Sequence, residues 1–283
     1  MTFFKDSMID HMLTVLQEAS AAIMEIYSDE SKFNTQTKDD QSPLTVADQR
    51  SNDIIVSNLN RQYPDIPVIS EEIKQTSYAE RSHYKNYFLI DPLDGTKEFI
   101  KRNGEFTINV AYMEGVSPEA GFIYVPVTNT AYVGIKGRGA YVINKHGRQT
   151  EIRSKPFFLS DRGLKIFVSR SHRDASTEKI VSMLNEPDIL TSGSALKFMK
   201  IAEGSAHFYP RLAPTMEWDT AAAQCILEES GGSVLKFDDL MPVVYNKENL
   251  LSPYFIAMGA LMDPETLADV VEKVKSEKWK SEE

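Results

Sequence analysis

Residues 87–96 read YFLIDPLDGT. The apolar run Tyr87 to Ile90 has the length of a buried strand and falls short of a buried helix, so it belongs in the core of a sheet. It ends on Asp91, and a second acid, Asp94, follows across Pro92 and Leu93. Two carboxylates held that close repel each other unless a cation lies between them. A core strand therefore has to deliver two acids to one point, and no other stretch constrains the fold as much. Pro92 fixes its φ and has no N–H, Gly95 admits backbone shapes closed to other residues, and the carbonyl of Leu93 is free to turn toward both aspartates. Carboxylates and a carbonyl are hard oxygen donors, suited to Mg²⁺ or Mn²⁺ rather than zinc. The same residues also fit an ordinary Asp-Gly turn after a strand.

Other acids fall at comparable places. Ser70-Glu71-Glu72 follows the short apolar stretch at Val68, and Asp219 sits beside Trp218 just ahead of the small-residue run TAAAQCILEE. Acids at strand ends and helix starts are positioned by rigid elements, as a divalent oxygen site requires. Thr96 offers a hydroxyl to orient a water, and a helix opening there points N–H groups at a bound anion. Taken singly, Glu71 and Glu72 also read as a solvated loop and Asp219 as a helix N-cap. Only the joint pattern separates these readings.

Composition narrows the choice of partner. With 283 residues, 42% of them hydrophobic and 25% charged, the chain can bury a large core. A formal charge of −10 and a pI near 5.1 argue against a nucleic-acid polymer, which selects a basic stripe. A small anion needs local cations or a metal to overcome that field. Cys225 is the only cysteine, which excludes an intramolecular disulfide and a thiolate metal cluster; its setting, AAAQCILEE, predicts a buried helical thiol. No window is apolar enough to cross a bilayer, and the start, MTFFKDSMIDHML, carries acids where a signal peptide keeps a clean apolar core. A cytoplasmic protein is expected, with peripheral association at the inner membrane left open.

The periodicity of Ile9, Met12, Leu13, Leu16, Ala19, Ile23 and Ile26 predicts an amphipathic helix, and a second runs from about Val46 to Tyr63, where Pro64 stops it. Strand-like pieces follow at 68–70, 87–90, 106–112, 120–125, 131–135 and 141–143, separated by Gly, Asn and Pro, which predicts a largely antiparallel sheet of hairpins. From about Arg153 to Phe158 the pattern changes. Strands at 165–168, 189–190 and 207–209 then alternate with helices at 175–184, 196–203 and 220–229, and a last helix opens at Asp263-Pro264, with residues after about Ser276 read as a frayed tail. The expected fold is a layered α/β architecture in two parts, residues 1–155 and 156–283, the second completing the metal and substrate site.

The stretches SEE at 70–72, DPLDGT at 91–96 and EWDTAAA at 217–223 resemble the signatures of the lithium-sensitive, magnesium-dependent phosphatases of the inositol monophosphatase superfamily. DPLDGTKEFIKRNGEFTINVA, VSRSH, SGSALKF, AEGSAHFYPR and PTMEWDTAAA look most like its bacterial 3'(2'),5'-bisphosphate nucleotidase branch, over about Lys38 to Phe255. The resemblance implies a fold of alternating helix and sheet layers, and two or three Mg²⁺ ions, with Mn²⁺ as a substitute. It implies that Glu71, Asp91, Asp94, Asp219 and the carbonyl of Leu93 hold the ions, Asp91 bridging two of them. Thr96 and Asp48 resemble the pair that activates the attacking water, and Glu72 supports a further ion or the water network. Gly95 and Thr96 match backbone groups on the scissile phosphate, which Glu71, Leu93, Asp94 and Asp219 also border. Phosphate monoester hydrolysis is among the slowest uncatalysed reactions, and paired metals about 3.5–4 Å apart clamp both attacking and leaving oxygens.

The leaving group has to be read elsewhere. By the same resemblance, His172, Ser194, Lys197 and Arg211 match positions that touch a nucleotide: Lys197 and Arg211 meet a second phosphate, and His172 meets the base or ribose. Arginine grips phosphate through parallel N–H bonds. Lys197 also reads as a solvated helical lysine, His172 as a loop residue and Arg211 as a brace for its loop. The implied reaction removes the 3'-phosphate of 3'-phosphoadenosine 5'-phosphate, giving AMP, with a role in sulfur metabolism and inhibition by Li⁺. An inositol monophosphatase of the same fold is the alternative. Dimers are common among such phosphatases, so a homodimer is a further expectation.

Overall fold

A computed structural model describes residues 6–29, 35–37, 43–168 and 175–279. The first half runs α1 (Asp6–Tyr27), β1 (Thr35–Thr37), β2 (Pro43–Thr45), α2 (Val46–Gln62), β3 (Val68–Ser70), α3 (Tyr78–Arg81), β4 (Asn86–Asp94) and α4 (Thr96–Ile100). Strands β5 (Thr107–Glu114), β6 (Ser117–Val125), β7 (Thr130–Ile135), β8 (Gly139–Ile143) and β9 (Gln149–Ile152) follow. Then come β10 (Pro156–Phe157), β11 (Lys165–Phe167), α5 (Ala175–Ser182), β12 (Asp188–Leu190), α6 (Leu196–Ala202), β13 (Phe208–Arg211) and α7 (Glu217–Glu229). The chain closes with β14 (Ser233–Lys236), β15 (Phe255–Met258), β16 (Ala260–Leu261) and α8 (Pro264–Trp279).

Strands β3 to β9 form a seven-stranded sheet in sequential order. It is antiparallel throughout except at its edge, where β3 lies parallel to β4 with Ser70 opposite Ile90. The parallel pairing brings the C-terminal ends of both strands, and hence Glu71 and Asp91, to the same side of the sheet. A second sheet of five strands has the order β12-β11-β13-β15-β14.

Side chains alternate along β4, and both faces are buried. Phe88 and Ile90 pack with α1 and α2 residues such as Leu16, Ile23 and Ile55. Tyr87 and Leu89 pack on the other face with Met199 from α6 and Ala222 and Ile226 from α7. The second sheet repeats the arrangement: Tyr209, Phe255 and Ala257 join the same inner core, while Phe208, Ile256 and Met258 face Ile180 of α5 and Leu267 and Val271 of α8. The layers are thus helix, sheet, helix, sheet, helix. Burial on both faces explains why β4 is apolar at consecutive positions instead of alternating.

Several expected boundaries shift. β4 does not end at Ile90 but continues to Asp94 through an irregularity in its pairing with β5, which takes the acids into the strand itself. α7 begins at Glu217, so Asp219 is the third residue of the helix and not a residue ahead of it. α8 runs to Trp279, past the tail expected from Ser276. Strands β1, β2, β9, β10, β14, β15 and β16 have no counterpart among the strands expected from sequence.

Candidate active site

The two acids of β4 are separated by a bulge. Asp91 pairs with Asn109 and Asp94 with Thr107, so Pro92 and Leu93 are left out of the ladder and the strand bends there. Helix α2 braces the bulge: Ser51 Oγ donates to the carbonyl of Pro92 at 2.7 Å, and Asn52 Oδ1 accepts from Ser70 Oγ at 2.8 Å. Asp91 Oδ1 accepts from the N–H of Leu93 at 3.0 Å. Gly95 follows with φ 97 and caps the five-residue helix α4; a Cβ there would also stand 3.0 Å from the carbonyl oxygen of Glu105.

Glu71, Asp91 and Asp219 each offer a carboxylate oxygen, and these atoms lie within 4.8 Å of one another. Asp94 stands beside them with one oxygen committed: its Oδ2 accepts from Asn109 Nδ2 at 3.1 Å and from the N–H of Ala195 at 2.7 Å. Asp219 is held similarly, its Oδ2 accepting from Thr215 Oγ1 at 2.7 Å and from Met216 N–H at 2.9 Å. Asp91, Asp94 and Asp219 thus each have an oxygen fixed by the protein. Such orientation of ligands by a surrounding shell is a property of built metal sites.

The electrostatics are unfavourable without a cation. Asp91 is buried, and that burial, together with the charges of Glu71, Asp94 and Asp219, holds its pKa well above the ordinary carboxylate value. Asp94 is pushed up to about 7, by burial first and by Asp219 second, against the opposing pull of Lys197, Asn109 and the Ala195 N–H. Two buried aspartates that resist ionisation, Asp91 and Asp94, in a cluster of oxygen donors with no nitrogen or sulfur donor among them, fit a hard divalent ion.

Asp48 and Thr96 come together as expected. Asp48 is the third residue of α2, and its Oδ2 closes a capping box by accepting from Thr45 N–H at 2.8 Å and from Thr45 Oγ1 at 2.5 Å. Its Oδ1 accepts from Thr96 Oγ1 at 2.9 Å. The carbonyl of Leu93 is 3.4 Å from the same hydroxyl. A hydroxyl has one hydrogen, so donation to Asp48 leaves the oxygen of Thr96 as an acceptor.

Two connected cavities of about 470 and 170 Å³ share Asp94, Gly95, Glu98, Arg211, Thr215 and Asp219. Glu71, Asp91, Leu93 and Thr96 line the larger one, and Ser194 and Lys197 line the smaller. Lys197 Nζ donates to the carbonyls of Ser194 at 2.7 Å and Ser192 at 3.2 Å, and lies 5.2 Å from the centre of the Tyr209 ring. Arg211 Nη2 donates to Pro214 O at 2.8 Å, while its Nε and the Ser194 hydroxyl are buried without a hydrogen-bond partner. Glu72 stands outside the three converging acids and lines neither cavity. His172 lies outside the described residues.

The sequence reading missed Ser51, Asn52, Asn109 and Thr215, which hold the acids and the bulge in place. A signal existed for two of them: Asp48, Ser51 and Asn52 form a polar stripe at helical spacing that turns out to be buried.

A family model described as the inositol monophosphatase family matches residues 5–275. The chain belongs to the inositol monophosphatase family. It is 37% identical over 249 residues to the 3'(2'),5'-bisphosphate nucleotidase CysQ of Escherichia coli K12, covering 88% of this chain and 98% of that protein. It is 31% identical over 265 residues to the CysQ of Haemophilus influenzae, covering 92% of this chain and 95% of the other. The crystal structure of CysQ from Bacteroides thetaiotaomicron superposes with a TM-score of 0.77 at 35% identity, over 89% of this chain and 97% of that one. The layered fold is therefore that of the inositol monophosphatase family.

Proposed function

We propose that the chain is a Mg²⁺-dependent phosphatase that hydrolyses the 3'-phosphate of 3'-phosphoadenosine 5'-phosphate, giving AMP and phosphate. The observation that carries the reading is the convergence of Glu71, Asp91 and Asp219 on the cleft that also holds the Thr96–Asp48 hydrogen bond. Similarity to CysQ over nearly that protein's whole length supports the choice of substrate.

Glu71, Asp91 and Asp219, with Asp94 and the carbonyl of Leu93, would hold the ion or ions. Bound there, a divalent cation supplies charge neutralisation for the phosphoryl oxygens and acidifies a coordinated water. The protein's own part begins with Thr96. Its hydroxyl, with the proton directed to Asp48, presents a lone pair to a water proton and aims that water's oxygen at phosphorus. Asp48 draws on the Thr96 hydroxyl and increases the basicity of its oxygen. The N–H groups of Gly95 and Thr96 face the phosphoryl oxygens. Lys197, Arg211 and the Ser194 hydroxyl, which line the smaller cavity, receive the phosphate that is not cleaved. We read residues 1–155 and 156–283 as the two parts whose meeting makes this cleft.

A phosphate-release panel tests the proposal: 3'-phosphoadenosine 5'-phosphate, inositol 1-phosphate and fructose 1,6-bisphosphate, each with Mg²⁺ and with chelator. Rapid Mg²⁺-dependent release from the nucleotide, inhibited by Li⁺, is expected. Much faster turnover of inositol 1-phosphate would replace the nucleotide reading with that of an inositol monophosphatase.

A further inference from the structure

The chemistry above leaves one deeply buried carboxylate without a role. Glu217 opens α7 two residues before Asp219 and is fully buried. Its Oε2 accepts from the N–H of Asn246 at 2.6 Å, and its Oε1 accepts from the N–H of Lys247 at 3.2 Å and from the Lys247 ammonium. Asn246 has φ 59, a left-handed conformation that asparagine tolerates and that points its N–H at Glu217. The Asn246 side chain continues the path. Its Nδ2 donates to Arg81 O at 2.7 Å, and its Oδ1 accepts from Arg81 Nη1 at 2.7 Å. Arg81 Nη2 donates to Glu248 O at 2.7 Å. Arg81 is itself buried and ends α3, the first helix after the Glu71 loop.

The backbone ties the same parts together. Glu217 N–H donates to Leu250 O and Ser252 N–H to Thr215 O, so residues 246–252 run along the start of α7. Both oxygens of Glu217 are thereby consumed by donors, and its carboxylate does not join the acids that converge in the cleft. An amide of the same shape would set an NH₂ group against an N–H or an ammonium, so the site demands a carboxylate for its polarity and not its volume.

We propose that Glu217 is a positioning residue for the metal centre. Through Asn246, Lys247 and Arg81 it clamps the α7 start, which carries Asp219, to the α3 segment that follows Glu71, and so fixes the separation of those two ligands. This rests on the reading of Glu71, Asp91 and Asp219 as metal ligands, and the test separates the two claims.

Mn²⁺ is titrated into the ion-free full-length protein and free Mn²⁺ is followed by electron paramagnetic resonance. Glu217→Gln is expected to raise the Mn²⁺ dissociation constant about 10-fold or more, as loss of an outer-shell partner does, with kcat largely recovered at high Mg²⁺. Ser154→Ala is the control for stability alone: it removes a buried hydrogen bond of 3.1 Å to Ser230 O at the opposite end of α7, and is expected to lower Tm while leaving the Mn²⁺ affinity unchanged. A folded Glu217→Gln protein that binds Mn²⁺ like the wild type overturns the proposal. If that variant does not fold, Arg81→Lys keeps the charge but loses the two-pronged contact; a several-fold weaker Mn²⁺ affinity supports the proposal and an unchanged one overturns it. Asp219→Asn reports on the underlying reading: Mn²⁺ binding that survives it removes the metal centre itself, whereas its loss there beside unchanged binding in Glu217→Gln removes only the positioning role.

Discussion

Thr96 has a single proton to give, and giving it to Asp48 is what makes its oxygen an acceptor. Thr96→Val keeps the shape and deletes the acceptor. It is expected to lower kcat by about 10²-fold or more, the range of a lost general-base contact, with little change in KM in a steady-state phosphate-release assay; an unchanged kcat would remove Thr96 from the chemistry. Asp94 behaves differently, because its protonation is linked to folding. Without a divalent ion its pKa is pushed up to about 7 from the model-compound value of 3.8. Between those limits the folded protein holds a proton that the unfolded chain has released, so this group's contribution to stability falls as pH rises from about 4 to about 7 and is flat above. Thermal unfolding of the ion-free protein across that range is expected to show the decline, and Asp94→Asn to flatten it. Mg²⁺ is expected to raise Tm more at pH 8 than at pH 5, since it competes with the proton. A wild-type slope in Asp94→Asn would contradict the assignment. At this scale much of the site was legible: acids at the end of an apolar run have few structural uses, which is why Asp91 and Asp94 stand out. Ser51 and Asn109 did not, because a serine in a helix or an asparagine in a strand acquires meaning only from the partner that the fold brings to it.

Elements carry the acids to one place. The parallel pairing of β3 with β4 and the bulge in β4 bring Glu71, Asp91 and Asp94 together from one sheet. Helix α7 brings Asp219 from the other side, lying so close to that sheet that a Cβ on Gly121 of β6 would stand 2.2 Å from the carbonyl oxygen of Ala222. Gly121→Ala therefore forces the helix and the sheet apart. A cost of about 1–3 kcal/mol or more is expected from such overpacking, read as a fall in Tm, with weakened Mg²⁺ activation because Asp219 moves with the helix. Wild-type Tm and activation would show that the helix does not need this approach. The run of small residues in TAAAQC signals such a helix in the sequence, and the glycines and prolines between 112 and 140 signal the hairpins. The bulge was not legible as a bulge: Pro92 reads as the end of a strand, and only pairing with β5 beyond it carries β4 on to Asp94. Strands β14 and β15 were missed because their apolar residues are brief and their pairing partners lie far away along the chain.

For the whole molecule, the layered fold places the cleft where the acids of the seven-stranded sheet, the start of α7 and the 192–197 segment meet. Lys197 and Arg211 line the smaller cavity beside Asp94 and Asp219, while Glu71 and Asp91 line only the larger, so on the proposed reading a second phosphate meets cations that a single phosphate leaves unused. Lys197→Ala is expected to raise KM for 3'-phosphoadenosine 5'-phosphate about 10-fold or more and to leave turnover of a simple monoester such as inositol 1-phosphate at its low basal level. An equal effect on both substrates would place Lys197 in the shared machinery. All of this chemistry requires that folding gather Glu71, Asp91 and Asp219 around divalent ions. Crystals grown with Mn²⁺ and measured near the manganese absorption edge test it directly. Anomalous density is expected within the carboxylates of those residues, with Asp94 at its edge; an ordered crystal that shows Mn²⁺ elsewhere and none between them would rule the gathering out.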